Sequence, residues 1–235
     1  MIMSELAEQY YQEGIKALQG GVFPMAQEMF SKATKELPSR FEFWNLLGIS
    51  HQFQKQWKQC DQAWREALRC KPDSVDVKLN LGIANIALGN ESDAEGFWLS
   101  ILDTDTNHIQ TLINLGLFYR ERDRNQEAHD FWERGLELMP QNAKLKEWFA
   151  DVKGVLGWKY LSNESSDKAE TLLKQAVILD PEYDVLWRYL AEWHLRKSDF
   201  NAAEKACTKG LTINPENENL KMLLKRVLQM NGGIK

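Results

Sequence analysis

The sequence has few of the residue patterns that enzymes and metal proteins require. Its three cysteines show no CxxC spacing, and none lies near a histidine at a metal-ligand spacing. The four histidines include no i, i+4 pair, and the sequence has neither a glycine-rich phosphate loop nor a GxSxG motif. We therefore predict no catalytic residue, no metal site and no cofactor, and we predict that the chain is not an enzyme.

Long apolar runs and an excess of basic residues are also missing. No stretch approaches 18 consecutive apolar residues, and the first residues lack the basic segment and apolar run of a signal peptide. The 29 basic residues are outnumbered by 34 acidic ones, so a nucleic-acid-binding face is not expected. Cysteines without a disulfide pattern are typical of a reducing compartment. We predict a cytoplasmic protein with no membrane insertion and no nucleic-acid ligand.

An internal repeat of 34 residues is the strongest pattern in the sequence. Gly48, Gly82 and Gly116 recur at this interval, and a tryptophan follows each of them 16 residues later. A fixed period of this length indicates a solenoid, in which helical hairpins stack on one another. The sequence therefore predicts an all-α fold, an α-solenoid of stacked antiparallel helix pairs.

The period divides the chain into six repeats. We predict the following segments: an N-terminal lead at 1–6, four repeats over 7–142, a helical insertion of two turns at 143–149, two repeats over 150–217, and a capping helix with its tail over 218–235. Seven inserted residues are nearly two helical turns, so they preserve which face points inward. One long helix is then expected from about Asn142 to about Leu161.

Small and large side chains at fixed positions predict how the helices pack. The repeated glycines are expected to face small residues of the second helix, of which Cys60 is one, so that the two helices approach closely. The tryptophans are expected to fill the larger gaps between neighbouring hairpins. Capping-box patterns place the start of three second helices at Ser92, Asp167 and Asn201, each with a glutamate three residues later.

The order of a bulky residue, Leu, Gly and Tyr, followed by Ala, an aromatic residue, Ala or Gly, and Pro, resembles the tetratricopeptide repeat family. Leu112, Leu115, Gly116 and Tyr119 show its first half, and the resemblance extends over 7–217. The family resemblance implies a right-handed superhelix whose first helices line a concave groove, with ligand contacts from repeat positions 2, 5, 6, 9, 12 and 13. In this chain it implies a peptide-binding groove formed by Asn45, Leu46, Ile49, Phe53, Leu79, Asn80, Ile83, Ile113, Asn114, Leu117, Arg120, Trp158, Arg188 and Tyr189.

The groove predicted in this way is mostly apolar. Large exposed apolar patches generally mark binding surfaces, so we expect a ligand with hydrophobic side chains. The alternative is that about half of these residues pack between adjacent first helices. Asn80 and Asn114 occupy the same repeat position, where they either grip a peptide backbone or bond to their own helix surface. Arg120 and Arg188 either meet acidic groups of a ligand or are solvated.

Members of the family that bind chaperones hold a C-terminal carboxylate with lysines, asparagines and an arginine. The corresponding positions here carry mainly Tyr, Ile, Leu and isolated Asn. A carboxylate would be left unpaired in this setting. We therefore predict that the groove does not bind chaperone tails.

The expected long helix carries a second candidate surface. Leu145, Trp148, Phe149 and Val152 follow one another at i, i+3, i+4 and i+7 and form an apolar stripe. Either the preceding repeat covers this stripe, or the stripe is a surface for self-association or for a partner.

These patterns together predict a non-enzymatic scaffold that binds an extended or helical apolar segment of another protein. One alternative is an assembly or secretion chaperone that shields an aggregation-prone client. Another is a structural adaptor that associates with itself, and the sequence leaves a homo-oligomer open.

Overall fold

The structure, a computed structural model, describes residues 2–162 and 166–232, and these residues are helical apart from short turns. No strand is found among them, so the predicted all-α class is confirmed. The helices are α1 (Ile2–Gln19), α2 (Phe23–Glu36), α3 (Phe41–Phe53), α4 (Trp57–Cys70), α5 (Val75–Leu88), α6 (Glu91–Leu102), α7 (Ile109–Arg120), α8 (Asn125–Leu138), α9 (Ala143–Ser162), α10 (Ser166–Leu179), α11 (Asp184–Arg196), α12 (Phe200–Ile213) and α13 (Glu218–Gly232).

The chain forms two compact units, Met1–Thr111 and Leu112–Lys235. In the first unit, α1 packs against α2, α3 against α4, and α5 against α6, while α2 and α4 each also contact the next hairpin. In the second unit, α9 pairs with α10 and α11 with α12, and α13 packs against both α11 and α12. Each unit is therefore a series of stacked helical hairpins, as an α-solenoid requires.

A glycine at position 8 of the repeat lies against a large side chain at position 24 of the same repeat. A Cβ atom added to Gly82 would lie 2.1 Å from Nε1 of Trp98, a distance that no real contact allows. The same Nε1 donates a hydrogen bond to the carbonyl of Leu79 at 3.3 Å. The glycine and the indole therefore hold the two helices of this hairpin together.

The same pairing recurs in the repeats on either side. Equivalent close approaches join the glycine and tryptophan of the pairs Gly48–Trp64 and Gly116–Trp132. The side chain nearest to each of these glycines is the indole and not the small residue that the sequence analysis expects it to face. The prediction for the tryptophans holds in part, because Trp64 shares one core cluster with Val77 of the next hairpin.

In the second unit, the side chain at position 24 is smaller where the side chain at position 8 is larger. Gly157 lies against Leu173, whose Cγ would be 2.7 Å from an added Cβ. Where position 8 carries the larger Ala191, position 24 carries the smaller Cys207, and both are buried in one cluster. The space between the two helices is therefore filled in each case by a pair of complementary size.

The turn between the two helices of a hairpin has a left-handed residue at position 15. Gly21 and Gly89 adopt φ values of 72° and 78° there. Lys55, Asp123 and Ser198 adopt φ values of 56° to 59° at the equivalent position. Because a side chain makes this conformation unfavourable, the recurrence shows that the turn geometry is imposed by the packing of the hairpin.

Helix α9 is one helix of 20 residues, as the sequence predicts. The Asn142 side chain starts it by accepting a hydrogen bond from the Leu145 amide at 3.0 Å. None of the described helices, α9 included, combines the length and apolar character needed to cross a membrane. The assignment of 143–149 as an insertion stays a prediction, and the end of the predicted tail, 233–235, lies outside the described residues.

The predicted helix starts are wrong by one or two residues. Ser92, Asp167 and Asn201 lie inside the first turns of α6, α10 and α12 rather than at their caps. The residue that caps α12 is Asp199, whose carboxylate accepts a hydrogen bond from the Ala202 amide at 3.0 Å. The glutamates of these patterns, Glu95, Glu170 and Glu204, are each the fifth residue of their helix, too far along it to complete a capping box.

The Gly82–Trp98 contact predicts that Gly82→Ala destabilises the fold. The Cβ of the new alanine meets the indole ring of Trp98, and the ring cannot move away easily. We therefore expect the free energy of unfolding to fall by about 1–3 kcal/mol. Gly96→Ala is the control, because Gly96 is exposed within α6 and an added Cβ meets nothing within 4 Å. The control is expected to gain about 0.5–1 kcal/mol. Urea unfolding measures both, and equal effects of the two substitutions would contradict the assignment.

Candidate functional site

The predicted groove residues of the first unit lie on α3 and α5. Leu46 and Ile49 are half-buried and pack against two core clusters, so they contribute to the core as the alternative interpretation expects. Phe53 and Ile83 differ, because 58% and 39% of their surfaces remain exposed. Leu79 is half-buried, like Leu46. The apolar surface that is free for a ligand in this unit is therefore centred on Phe53 and Ile83.

Phe53 stacks on Phe23, an aromatic residue that sequence analysis did not single out. The rings of Phe53 and Phe23 are parallel, 4.4 Å apart and inclined by 5°. A hydrogen bond of 2.9 Å between the side chains of Gln54 and Gln27 holds the end of α3 to α2 beside this pair. Phe23 occupies repeat position 17, outside the first-helix positions that family resemblance selects. The pair forms a flat apolar surface at one end of α3.

Asparagines supply the polar groups on the same helices. Asn45 and Asn80 are both half-buried. The side-chain oxygen of Asn45 is buried and accepts no hydrogen bond from the part of the chain that the structure describes. Because this oxygen is buried, it is not open to a ligand on the surface.

In the second unit, Arg120 is paired within the chain. Its Nε and Nη2 donate to one oxygen of Asp151 on α9 at 2.9 and 2.6 Å. The interpretation of Arg120 as a solvated side chain is therefore wrong, and its charge is already balanced before any ligand binds. Ile113, Asn114 and Leu117, which precede it on α7, are half-buried.

Three predicted residues of the second unit come together on α9 and α11. Trp158 and Tyr189 stack with their ring centroids 5.3 Å apart and their planes inclined by 27°. The guanidinium of Arg188 lies 4.6 Å from the Tyr189 centroid and 5.7 Å from that of Trp158. Gly154 allows α9 and α11 to lie this close together, since a Cβ added to it would lie 2.3 Å from Cδ2 of Leu186 on α11. The result is a half-buried aromatic platform with a cation over its rings.

The apolar stripe of α9 is covered within the chain. Leu145, Phe149 and Val152 are buried, and Trp148 stacks on Trp132 of α8 with the centroids 5.8 Å apart. The alternative in which the preceding repeat covers the stripe therefore describes the structure. Leu145, Phe149 and Val152 are not accessible for self-association here.

Lys153, which sequence analysis did not single out, is buried on α9. Its Nζ donates to the Gln175 side chain at 2.8 Å, lies 3.2 Å from Nε2 of His129, and stands 4.4 Å from the centroid of Phe149. Burial lowers the pKa of Lys153, and the nearby charge of Glu133 opposes this effect only in part.

Two of the histidines pack within the fold. His51 is buried, and its Nδ1 lies 2.6 Å from the Gln56 side-chain oxygen. His194 lies edge-on to Trp193 at 4.8 Å, and burial lowers the pKa of His194. Within the described ranges, no three His, Cys, Asp or Glu side chains are grouped as a metal site would require.

Comparison with known families finds one match, which lies in the second unit. Residues 155–218 match the family described as tetratricopeptide repeat. Human Protein O-mannosyl-transferase TMTC1 is 21% identical over 197 residues, which make up 84% of this chain and 22% of that protein. The chain spans only 22–24% of the length of the first three curated relatives that it matches.

Solved structures share the fold over most of the chain. MamA superposes with a TM-score of 0.63 at 18% identity, covering 76% of this chain and 93% of MamA. YrrB, described as a TPR protein with an unusual peptide-binding site, superposes with a TM-score of 0.63 at 14% identity. That match covers 85% of this chain and all of YrrB. At these identities the likeness concerns the fold alone.

Buried Lys153 predicts that Lys153→Met changes how stability depends on pH. Because the pKa of Lys153 is lower in the folded chain than its ordinary value of about 10.4, the unfolded chain binds more protons between the two pKa values. The wild type therefore gains stability as pH rises through this interval, and the variant lacks that gain. We expect Lys153→Met to be the more stable protein at pH 7, with an advantage that shrinks toward pH 10.

Urea unfolding at several pH values measures this difference. Lys159→Met on the same helix is the control, because Lys159 is exposed and its replacement should change the unfolding free energy by less than about 0.5 kcal/mol. An advantage of Lys153→Met that is the same at pH 7 and pH 10 would contradict the prediction, as would a variant less stable than wild type at pH 7.

Proposed function

We propose that the chain is a non-enzymatic protein-binding module whose first unit captures an apolar segment of another protein, because residues 155–218 match the tetratricopeptide repeat family. Proteins of this repeat family generally mediate protein–protein interactions. The name of the TMTC1 relative denotes a transferase, but the match covers 22% of that protein. We therefore assign this chain the binding role of the repeats rather than a transfer reaction.

The exposure of Phe53 and Ile83 supports this proposal most directly. Leu47 and Leu81, leucines of the same helices, are almost completely buried, whereas Phe53 and Ile83 remain in contact with water. Covering apolar surface contributes roughly 25 cal/mol for each Å² removed from water. A partner with hydrophobic side chains gains this contribution at the two residues, and the rigid stacking of Phe53 on Phe23 limits the entropy lost on binding.

Polar groups beside these residues suit the backbone of the bound segment. Asn80 lies three residues before Ile83 and therefore on the same face of α5. Its amide offers both a donor and an acceptor, which an extended backbone or the end of a helix requires. The description of YrrB as having a peptide-binding site is consistent with a ligand of this type.

The aromatic platform of the second unit extends the proposal to a second set of contacts. Trp158 and Tyr189 present ring surface with Arg188 beside it, a combination that is frequent where proteins bind proteins. The predicted groove contains two arginines, Arg120 and Arg188. Since Arg120 is neutralised by Asp151, we assign Arg188 to a ligand carboxylate.

A peptide-display library panned against the intact chain tests the proposed function. We expect the wild type to enrich a shared hydrophobic motif, and we expect Ile83→Asp or Phe53→Asp to weaken its affinity at least tenfold, about 1.4 kcal/mol. The reason is that the new carboxylate must lose its hydration when the apolar partner covers it. Fluorescence anisotropy with the enriched peptide measures the affinity, and circular dichroism checks that each variant is folded.

Leu99→Asp is the matched control for Ile83→Asp. Leu99 is 37% exposed and Ile83 is 39% exposed, but Leu99 lies on α6, the second helix of the same hairpin. The control is expected to bind the peptide as wild type does. If Ile83→Asp enriches the same motif with unchanged affinity, or if Leu99→Asp weakens binding equally, the first-helix surface is not the site.

A further inference from the structure

Arg188 on α11 carries a charge that the described part of the chain leaves unpaired. Its side chain is half-buried, yet within the described ranges it forms no ion pair and donates no hydrogen bond. Two other arginines near this surface are already engaged. Arg120 donates to Asp151. Arg196 donates to the carbonyl of Leu161, in the last turn of α9, at 3.1 Å. Because donors withdrawn from water need an acceptor, Arg188 suits an acceptor from outside the chain.

The rings of the aromatic platform hold the Arg188 guanidinium in place. It lies over Tyr189 at 4.6 Å and over Trp158 at 5.7 Å, and these two rings are themselves stacked. A guanidinium carries its N–H groups in one plane, where a pair of them matches the two oxygens of a carboxylate. Since the stacking already restricts the side chain, less conformational entropy is lost when a carboxylate binds.

The platform is open although its helices have neighbours on both sides. Helix α9 contacts α8 and α10, and α11 contacts α10, α12 and α13. Trp158, Arg188 and Tyr189 are nevertheless half-buried rather than buried. Their open surface is therefore not the result of a missing neighbour at an end of the array.

The acidic residues of α11 limit what the platform can accept. Asp184, one turn before Arg188, accepts hydrogen bonds from Asn214 and Asn217 at 2.9 and 2.6 Å and is therefore engaged with the segment before α13. Glu192, one turn after Arg188, is half-buried and is joined to it by no ion pair in the described structure. A run of acidic ligand residues brings like charges to Glu192, so a single carboxylate is favoured.

We propose that the aromatic platform binds an extended segment of a partner protein, with one Asp or Glu side chain on Arg188 and an adjacent aromatic residue or proline on Trp158 and Tyr189. The ring contact supplies apolar burial, and the guanidinium selects the charge. A side-chain carboxylate is expected rather than a C-terminus, because a C-terminus is captured by free backbone N–H groups and those of a helix interior are used within the helix. The inference rests on the proposed function and names the residue pair that the second unit selects.

Panning of a peptide-display library on the intact chain with Ile83→Asp tests the platform separately, because this substitution removes the first-unit surface. We expect the enriched peptides to share one acidic residue next to an aromatic residue or proline. With Arg188→Glu added, we expect these peptides to be lost and peptides with Lys or Arg at the acidic position to be enriched. Such a charge swap requires a folded platform, so it separates a lost contact from misfolding.

Fluorescence anisotropy with an enriched peptide, amidated at its C-terminus, measures each contact. We expect Arg188→Glu, or replacement of the peptide's acidic residue by its amide, to weaken binding by about tenfold or more. Replacing the peptide's ring residue by alanine is expected to weaken binding by about threefold or more. Arg226→Glu is the matched control, because Arg226 is exposed on α13 and its replacement changes the net charge equally. This control is expected to bind the peptide with unchanged affinity.

Several outcomes overturn the proposal. The platform is not such a site if nothing is enriched on Ile83→Asp, if Arg188→Glu binds as before, or if Arg226→Glu weakens binding equally. If amidation abolishes binding, the ligand is a C-terminus, and if a single-stranded oligonucleotide displaces the peptide, the platform stacks bases instead. The proposed function of the first unit fails separately, when the peptides that the wild type enriches bind Phe53→Asp and Ile83→Asp without loss.

Discussion

The contact between repeat position 8 and repeat position 24 is the constraint on which the rest of the structure depends. In repeat three, Gly82 leaves a space that the indole of Trp98 fills, and the indole N–H reaches the backbone of the first helix at Leu79. Together these interactions set the distance and the rotation between the two helices. Where the residue at position 8 is larger, as with Ala191, the residue at position 24 is the smaller Cys207, so the distance is kept by a different pair.

The surface follows from this arrangement because the helix faces that form the hairpin are no longer available to a ligand. Positions 7 and 8 of the first helix are buried under the second helix, and residues such as Leu46 and Ile49 are partly used by the cores. What remains on the first helices of the first unit is a small apolar area with Phe53 and Ile83 at its centre.

The fold was largely predictable from the sequence, because a period of 34 residues with glycine and tryptophan at fixed positions is compatible with few architectures. The long helix α9 was predictable for the same reason, since the predicted insertion of seven residues preserves the helical phase. Which side chains meet was less predictable. The period placed Gly82 and Trp98 on facing helices, but it did not show that the indole rather than Ala94 is the closest neighbour.

The candidate site was predictable only at the level of helix faces. The exposed Phe53 and Ile83 were among the predicted residues, yet so were Leu46 and Ile49, because position in a repeat does not reveal how much a neighbouring helix covers. Phe23 and Asp151 were missed since each acts through a residue far away in sequence, Phe53 and Arg120 respectively. Lys153 was missed because nothing in its sequence neighbourhood indicates that it is buried.

A double-mutant cycle on Gly82→Ala and Trp98→Cys tests the central constraint most directly, because it converts the pair of repeat three into the pair of repeat six. Urea unfolding gives the cost of Gly82→Ala with the indole present and with it replaced. If the two positions share one space, the alanine is much less costly beside cysteine, with a coupling free energy of about 1–3 kcal/mol. An alanine that costs the same in both backgrounds would show that the two side chains do not determine the distance between the helices.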